Sequence, residues 1–418
     1  MTVHSRREFI GGLSRSSIAL ALRSVITGLP PLFLLQRKVH AQENNAKIAI
    51  LACSRQGEPL NVCGPGTYEP EVAAACEHPR AGEVDSNEVG NVVVNDTTLT
   101  AADLEESALV TLGNESVRMA RAFGALDSDL LQRLVWFNYR TTANIHPEFL
   151  TVASSYGRLI GQDGRGSEQL PSAIAQETAG MLGTTTAEPF LIGNTSFSFR
   201  GAPLASYTPT RVKALAGSVG QAIGGPDNFG VLYDYFIDQT YADLKANGTA
   251  EQKRFMDSKA SSRSQAAAFG ADLGQLLSEI NSDSIENELL AAVAIAKLRL
   301  APVIATTYSF GRDNHSDADL TIESRESIQM VKALDSYWKA AKSLNTLDDT
   351  VFATVDVFGR TPKRAGKGGR SHEGQFTSGL VLGNSLTGGV VGGFSVQGNN
   401  ARATGINSVS GRSTTPDI

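Results

Sequence analysis

Apolar residues in this chain gather into short continuous runs separated by longer stripes at helical spacing. Lys47-Ile-Ala-Ile-Leu-Ala-Cys53 is almost uniformly apolar, as expected of a strand covered on both faces of a parallel sheet. Ala108 to Leu112, Leu134 to Tyr139, Ala301 to Tyr308 and Val351 to Val357 read as further strands. Ala266 to Ile280, Asn287 to Leu300 and Glu323 to Leu344 read as helices, the last with Ile328, Val331, Leu334 and Trp338 on one face. Strands spaced by helices predict an α/β fold with a mostly parallel sheet. Two polar stretches interrupt the pattern as insertions, Pro65 to Thr100 and Pro203 to Phe229. From Gly366 the chain is dense in Gly, Ser and Asn. Its apolar patches at Leu380-Val-Leu382 and Val390-Val391 predict a closing hairpin, and residues 412–418 a flexible tail. Leu289 to Thr307 is the most apolar stretch of the main body. Lys297, Arg299 and Pro302 interrupt it, so a buried helix running into a strand is expected there and no stable membrane span.

Composition sharpens this picture at one place. The 418 residues are 41% hydrophobic, enough for a large core, and the net charge of −6 excludes a nucleic-acid binder that works by neutralising phosphates. The charge is unevenly spread. Residues 1–41 carry Arg6, Arg7, Arg15, Arg23, Arg37 and Lys38 against Glu8 alone, and the chain beyond Ala41 is left at −11. Ser5-Arg6-Arg7-Glu8-Phe9-Ile10 resembles a twin-arginine export signal, followed by a moderately apolar stretch and by Val39-His40-Ala41, which suits a signal peptidase. The alternative is an uncleaved anchor, opposed by Arg23 and Pro30-Pro31 within the apolar stretch. The expectation is a signal peptide over residues 1–41 read by the twin-arginine translocation machinery, then one domain over residues 42–411 in the periplasm or outside the cell. Such export carries folded proteins and is compatible with a metal already bound.

Three cysteines cannot staple a chain of this length. In an oxidising compartment Cys63 and Cys76 are candidates for a loop disulfide; a thiolate metal site has no CxxC pair to support it.

Beyond Ala41 four histidines remain: His78, His146, His315 and His372. His315 lies in Ser309-Phe-Gly-Arg-Asp313-Asn-His315-Ser-Asp317, directly after a predicted strand. His372 follows Asp356-Val-Phe-Gly-Arg360-Thr-Pro-Lys363 and Gly366-Lys-Gly-Gly-Arg370. Ligands of parallel sheets gather at the carboxyl ends of strands, where both loops belong. Asp and His alternating in such a loop can aim a carboxylate and an imidazole at one divalent cation, and the neighbouring Arg and Lys provide a positive field for an oxyanion. The bland readings are a turn for the first loop and a solvated surface for the second. No Gly-x-Ser-x-Gly elbow supports a Ser-His-Asp hydrolase, and no Gly-x-Gly-x-x-Gly follows the first strand to support a dinucleotide enzyme.

Phe358-Gly-Arg-Thr-Pro-Lys363, then Gly368-Gly-Arg370-Ser-His372, then an apolar strand and Thr387-Gly-Gly389, resembles the C-terminal signature of the domain-of-unknown-function family 1501 (DUF1501). That family is a twin-arginine-exported branch of the alkaline phosphatase and sulfatase superfamily. It also carries an Asp-x-His loop some way before the signature, where Asp313 and His315 stand. Arg55-Gln-Gly-Glu58-Pro-Leu-Asn61 loosely follows an N-terminal family segment, and Asn144-Ile-His146 stands where the family has a Ser-His-Phe motif. The resemblance implies a three-layer α/β/α sandwich of the alkaline phosphatase type with a metal centre at the carboxyl edge of the sheet. By position, Asp313, His315, His372 and Asp356 would be metal ligands for zinc, calcium or magnesium. Arg360 and Arg370 would contact an anion or brace the loop. The substrate would be an anionic phosphate or sulfate ester.

The chain departs from the signature in its acids. Val357 stands where the family has an acid, with Asp356 one place earlier; a one-residue shift in a strand turns a side chain to the opposite face. Ser371 and Glu58 replace two further aspartates. Two close divalent ions need several carboxylates, so a single-metal or weakened ester hydrolase is expected, or a non-catalytic binding or structural protein that keeps the fold. The catalytic nucleophile is not identified, with Ser54 and Thr67 candidates by location alone.

Overall fold

The computed structural model describes residues 46–405 apart from 73–74, 142, 161–167, 185, 215–248, 250–272, 308–312, 366–367 and 398–399. The proposed signal peptide lies outside the described residues, as do most of the Pro203 to Phe229 segment, the start of the Ala266 to Ile280 helix and the tail beyond residue 405.

An eight-stranded sheet organises the molecule. In chain order its strands are β1 (Ile48–Ser54), β2 (Leu134–Tyr139), β3 (Phe190–Ile192), β4 (Ser206–Tyr207), β5 (Val303–Thr306), β6 (Thr350–Asp356), β9 (Thr377–Leu382) and β10 (Gly389–Val391). Between β6 and β9 a separate hairpin is formed by β7 (Gly359–Arg364) and β8 (Arg370–Glu373). The spatial order is β4-β3-β5-β1-β6-β9-β2-β10, and every pairing is parallel except the two made by β9. The mixed α/β architecture expected from the apolar runs is therefore present. Two expectations change. Ala108 to Leu112 belongs to a separate hairpin, Ser107–Leu112 with Glu115–Ala120. The segments around Leu380 and Val390 do not pair with each other but flank β2 on either side.

The continuous apolar run of β1 is explained by burial on both faces. Ile48, Ile50 and Ala52 join one core cluster with residues of α4 (Ile285–Lys297) and α5 (Thr321–Ser343), among them Leu289, Val293, Ile328 and Trp338. Leu51 and Cys53 join a second cluster with Phe149, Val152 and Ala175 of α2 (Phe149–Ile160) and α3 (Leu170–Leu182). Residues of α4 from Asn287 to Ala296 are all buried, which is why that helix reads as apolar all round. Ser284 caps its first turn by accepting from the Asn287 N–H. Among the described residues no helix is long and apolar enough to cross a membrane.

Parallel strands leave their carboxyl ends on one edge. Arg55 to Glu58 follow β1 and lead into the short α1 (Leu60–Cys63), Val357 to Gly359 follow β6, and the segment from Arg140 to His146 follows β2. The loop after β5 leads to Asp313 and His315.

Candidate metal centre

Four side chains meet at this edge. Asp313 and His315 belong to the loop between β5 and α5, whose far end is fixed by Asp317. That carboxylate accepts from the N–H groups of Ile322 (3.1 Å) and Glu323 (2.8 Å) and so caps α5. His372 lies in β8, in register with Arg360 of β7. The hairpin is locked to the Asp313 loop by Gly369, whose N–H donates to the His315 carbonyl at 2.7 Å. A Cβ on Gly369 would stand 1.6 Å from the Asn314 carbonyl oxygen, so the close approach requires glycine. The fourth residue, His146, begins a short turn ahead of α2.

One donor atom from each of His146, Asp313, His315 and His372 lies within 4.8 Å of all the others. His315 Nε2 is 2.6 Å from His372 Nε2, which is 3.2 Å from His146 Nε2. His146 Nε2 is 3.2 Å from Asp313 Oδ2, and His315 Nε2 is 3.4 Å from Asp313 Oδ1. Ligands about 2.0–2.1 Å from a tetrahedral ion stand about 3.3 Å from one another, which the three spacings of 3.2, 3.2 and 3.4 Å match and the His315–His372 separation of 2.6 Å does not.

Two imidazoles are oriented by the backbone. The Nδ1 of His146 lies 2.8 Å from the Arg55 carbonyl, and that of His372 contacts the Asn144 carbonyl. A carbonyl only accepts, so each Nδ1 carries a hydrogen, and a ring with no second hydrogen turns its Nε2 lone pair toward the other. Two lone pairs facing at 3.2 Å repel unless a cation or proton sits between them. Such backbone-anchored imidazoles are the usual support of a metal ligand. Phe358, fully buried, lies behind the cluster with its ring centroid 4.2 Å from that of His372 and 5.1 Å from that of His146.

Charge favours the ligand forms. Burial pushes His315 below its ordinary value, and the Arg360 guanidinium adds to this against the opposing pull of Asp313. His372 is lowered by burial too, then by Arg360 and the other two histidines, with the Asn144 carbonyl opposing. Burial would raise the Asp313 carboxyl, but Arg360, His146 and His315 together hold it below the usual carboxylate range. Neutral imidazoles and an ionised carboxylate at neutral pH are what metal binding requires. The side chains of Asp313 and His315 are 42% and 44% exposed, so the cluster opens to solvent.

The sequence-derived candidates are distributed as follows. Asp313, His315 and His372 come together. Asp356 does not join them: it is buried, its Oδ1 accepts from the Val357 N–H at 2.6 Å, and burial followed by Glu58 pushes its carboxyl well up. Arg360 and Arg370 are both fully buried. Arg370 pairs with Glu323 at 2.7 Å and donates to the carbonyls of Thr361, Pro362 and Glu77. Cys63 and Cys76 are buried free thiols, so the expected disulfide is not formed in this structure. Thr67 donates its hydroxyl to the Val62 and Gly64 carbonyls, and Ser54 Oγ accepts from the Gln56 N–H. His146 was visible in the sequence only as the counterpart of a family motif; its position at the end of a strand-to-helix connection was the available signal.

Residues 237–410 match the family described as Protein of unknown function (DUF1501), a span that holds Asp313, His315 and His372 but not His146. No curated protein and no solved structure matches the chain.

Proposed function

We propose that this chain is an exported protein with a three-layer α/β/α sandwich of the alkaline phosphatase and sulfatase type. It holds one divalent ion between His146, Asp313, His315 and His372 and acts as a hydrolase of phosphate or sulfate esters. The observation that carries this reading is the convergence of three imidazole nitrogens and one carboxylate, two of the rings pinned by backbone carbonyls. Three nitrogens and one oxygen suit a borderline ion such as zinc better than the oxygen-seeking calcium or magnesium. When bound, such an ion would supply Lewis acidity to an ester oxygen, which would have to enter beside these four ligands or in place of one of them. The chain's own part is to fix the imidazoles from behind and keep the solvent side open to the ester. The exposure of Asp313 and His315 supports that access. The twin arginines Arg6 and Arg7 support export through the twin-arginine machinery to the periplasm or beyond.

A second reading, a periplasmic or surface binding protein without turnover, is favoured by Asp356. Its carboxylate stands outside the ligand cluster, and the Thr67 hydroxyl is committed to backbone carbonyls. Metal analysis of the purified mature protein, followed by assays with aryl phosphate and aryl sulfate, separates the two. Bound ion with chelator-sensitive turnover that His372→Ala abolishes supports the hydrolase. Bound ion without turnover supports the second reading, and no bound ion refutes the metal centre.

A further inference from the structure

Asp313 points its two carboxylate oxygens at different partners. Oδ2 lies 3.2 Å from His146 Nε2, within the cluster. Oδ1 lies 3.2 Å from Nη2 of Arg360 and 3.4 Å from His315 Nε2. Arg360 is fully buried and rigidly held. Its Nε donates to the Gly57 carbonyl at 3.0 Å, Nη2 to the Gln56 carbonyl, and Nη1 to the Arg370 carbonyl at 3.3 Å. Nη1 also stands 3.4 Å from His315 Nε2. A guanidinium has five N–H groups in one plane, and here four of them are directed at oxygen atoms of the protein. The carbonyls fix that plane but carry no charge, and the ionised partner that faces it at hydrogen-bonding distance is Asp313.

We infer that Arg360 is a positioning residue for the metal-binding carboxylate. By holding Oδ1 it favours Oδ2 as the ligating oxygen, and it ties the Asp313 loop to the turn after β1 through Gln56 and Gly57. The inference rests on the metal reading above. It replaces a contact between Arg360 and a substrate anion, for which the buried fork has no outward N–H. Ligating carboxylates are commonly held by such a partner, and losing it costs about 10–100-fold in metal affinity.

The test uses the mature protein loaded with Zn²⁺ or Co²⁺ and the variants Arg360→Met and Arg360→Lys. Zinc affinity is read by competition with a chromophoric chelator, and coordination number by the visible absorption of the Co²⁺ form. Arg360→Met is expected to bind zinc about 10–100-fold more weakly. Its Co²⁺ absorption is expected to weaken as Oδ1 becomes a further ligand. Arg360→Lys, which keeps a donor for Oδ1, is expected to retain the wild-type spectrum. A purely structural arginine would leave the spectrum of the folded Met variant unchanged, and that outcome, with unchanged affinity, overturns the inference. Should the Met variant not fold, X-ray absorption of the wild-type zinc protein decides: one carboxylate oxygen at about 2.0–2.2 Å supports the inference and two overturn it. Wild-type protein that takes up no ion defeats the metal reading and the inference together, whereas unaltered variants of a metal-loaded protein defeat the inference alone.

Discussion

Replacing Arg370 with methionine separates a structural brace from an anion-binding arginine. Arg370 and Glu323 are both completely buried, with Nε 2.7 Å from Oε2. The same Oε2 also accepts from Asn314 Nδ2 at 2.6 Å, and Asn314 stands between Asp313 and His315. Methionine fills similar space but leaves the Glu323 carboxylate without its counterion. Glu323 Oε1 already has no hydrogen-bond partner among the described residues. The carbonyls of Thr361, Pro362 and Glu77 lose a donor as well. Removing one partner of a buried ion pair costs about 3–5 kcal/mol, and each unmet buried acceptor adds roughly 1 kcal/mol where water cannot enter. Against a total stability of about 5–15 kcal/mol this is a large fraction. Urea unfolding followed by circular dichroism is expected to show a loss of at least about 4 kcal/mol in Arg370→Met. Glu323→Leu in the same background is expected to restore part of it, since the stranded charge is then removed. Zinc affinity should fall with stability because Asn314 loses its support. An unfolding free energy within about 1 kcal/mol of wild type, together with lost sulfate binding, would refute this account and return Arg370 to the anion site.

Two further outcomes follow from local geometry. Glu288 is buried in the first turn of α4, where its carboxylate accepts from the N–H and hydroxyl of Thr307. Burial pushes it up to about 7 from 4.5, with the Thr307 hydrogen bonds opposing and Asp283 assisting. The folded chain therefore holds an extra proton between those values. Stability is fully present below about pH 4.5 and falls as the pH rises through 7, by at most about 3 kcal/mol; a pH series of urea midpoints that is no flatter in Glu288→Gln than in wild type would contradict this. Gly57 has φ +75°, and a Cβ there would stand 2.0 Å from the Phe358 ring. Gly57→Ala is expected to cost about 1–2 kcal/mol for the left-handed backbone alone and to displace Phe358 from behind His146 and His372, so calorimetry should show weaker zinc binding as well as a lower melting temperature.

The parts of the fold that were legible are those whose burial is nearly complete. β1, β5 and β6 are covered on both faces, and α4 is buried all round, so their composition alone marks them. The helix Phe149–Ile160 is less legible: Phe149, Val152, Ala153 and Tyr156 share its core side, but only a few of them are strongly apolar, and Thr151 and Ser155 lie on the exposed side. The hydroxyls of Ser154 and Ser155 are satisfied within the helix, on the Leu150 and Thr151 carbonyls. The last two strands were visible as apolar patches, but an apolar patch does not say which neighbour it pairs with. Val381 and Val390 reach opposite sides of β2, far back in the chain. His146 is obscure for the same reason, since nothing near it in sequence shows that the connection after β2 brings it to the loop of Asp313.

The basic segment from Arg360 to Arg370 shows why charge along the chain could not identify its own role. As a run of residues it is a positive patch on an acidic protein, the ordinary mark of an anion site. Folding turns it into a hairpin in which Arg364 is opposite Arg370 and Arg360 opposite His372. Gly369 lets that hairpin press against Asn314, and the two outer arginines then point inward. Their charges meet Asp313 and Glu323, so they support the loop of Asp313 and His315 from two sides and are themselves withdrawn from the surface. Arg364 is drawn in the same direction, onto Glu77 and Glu83. A sequence can place a cation near a strand end; only the register of the hairpin decides whether that cation faces a ligand or holds the residues that do.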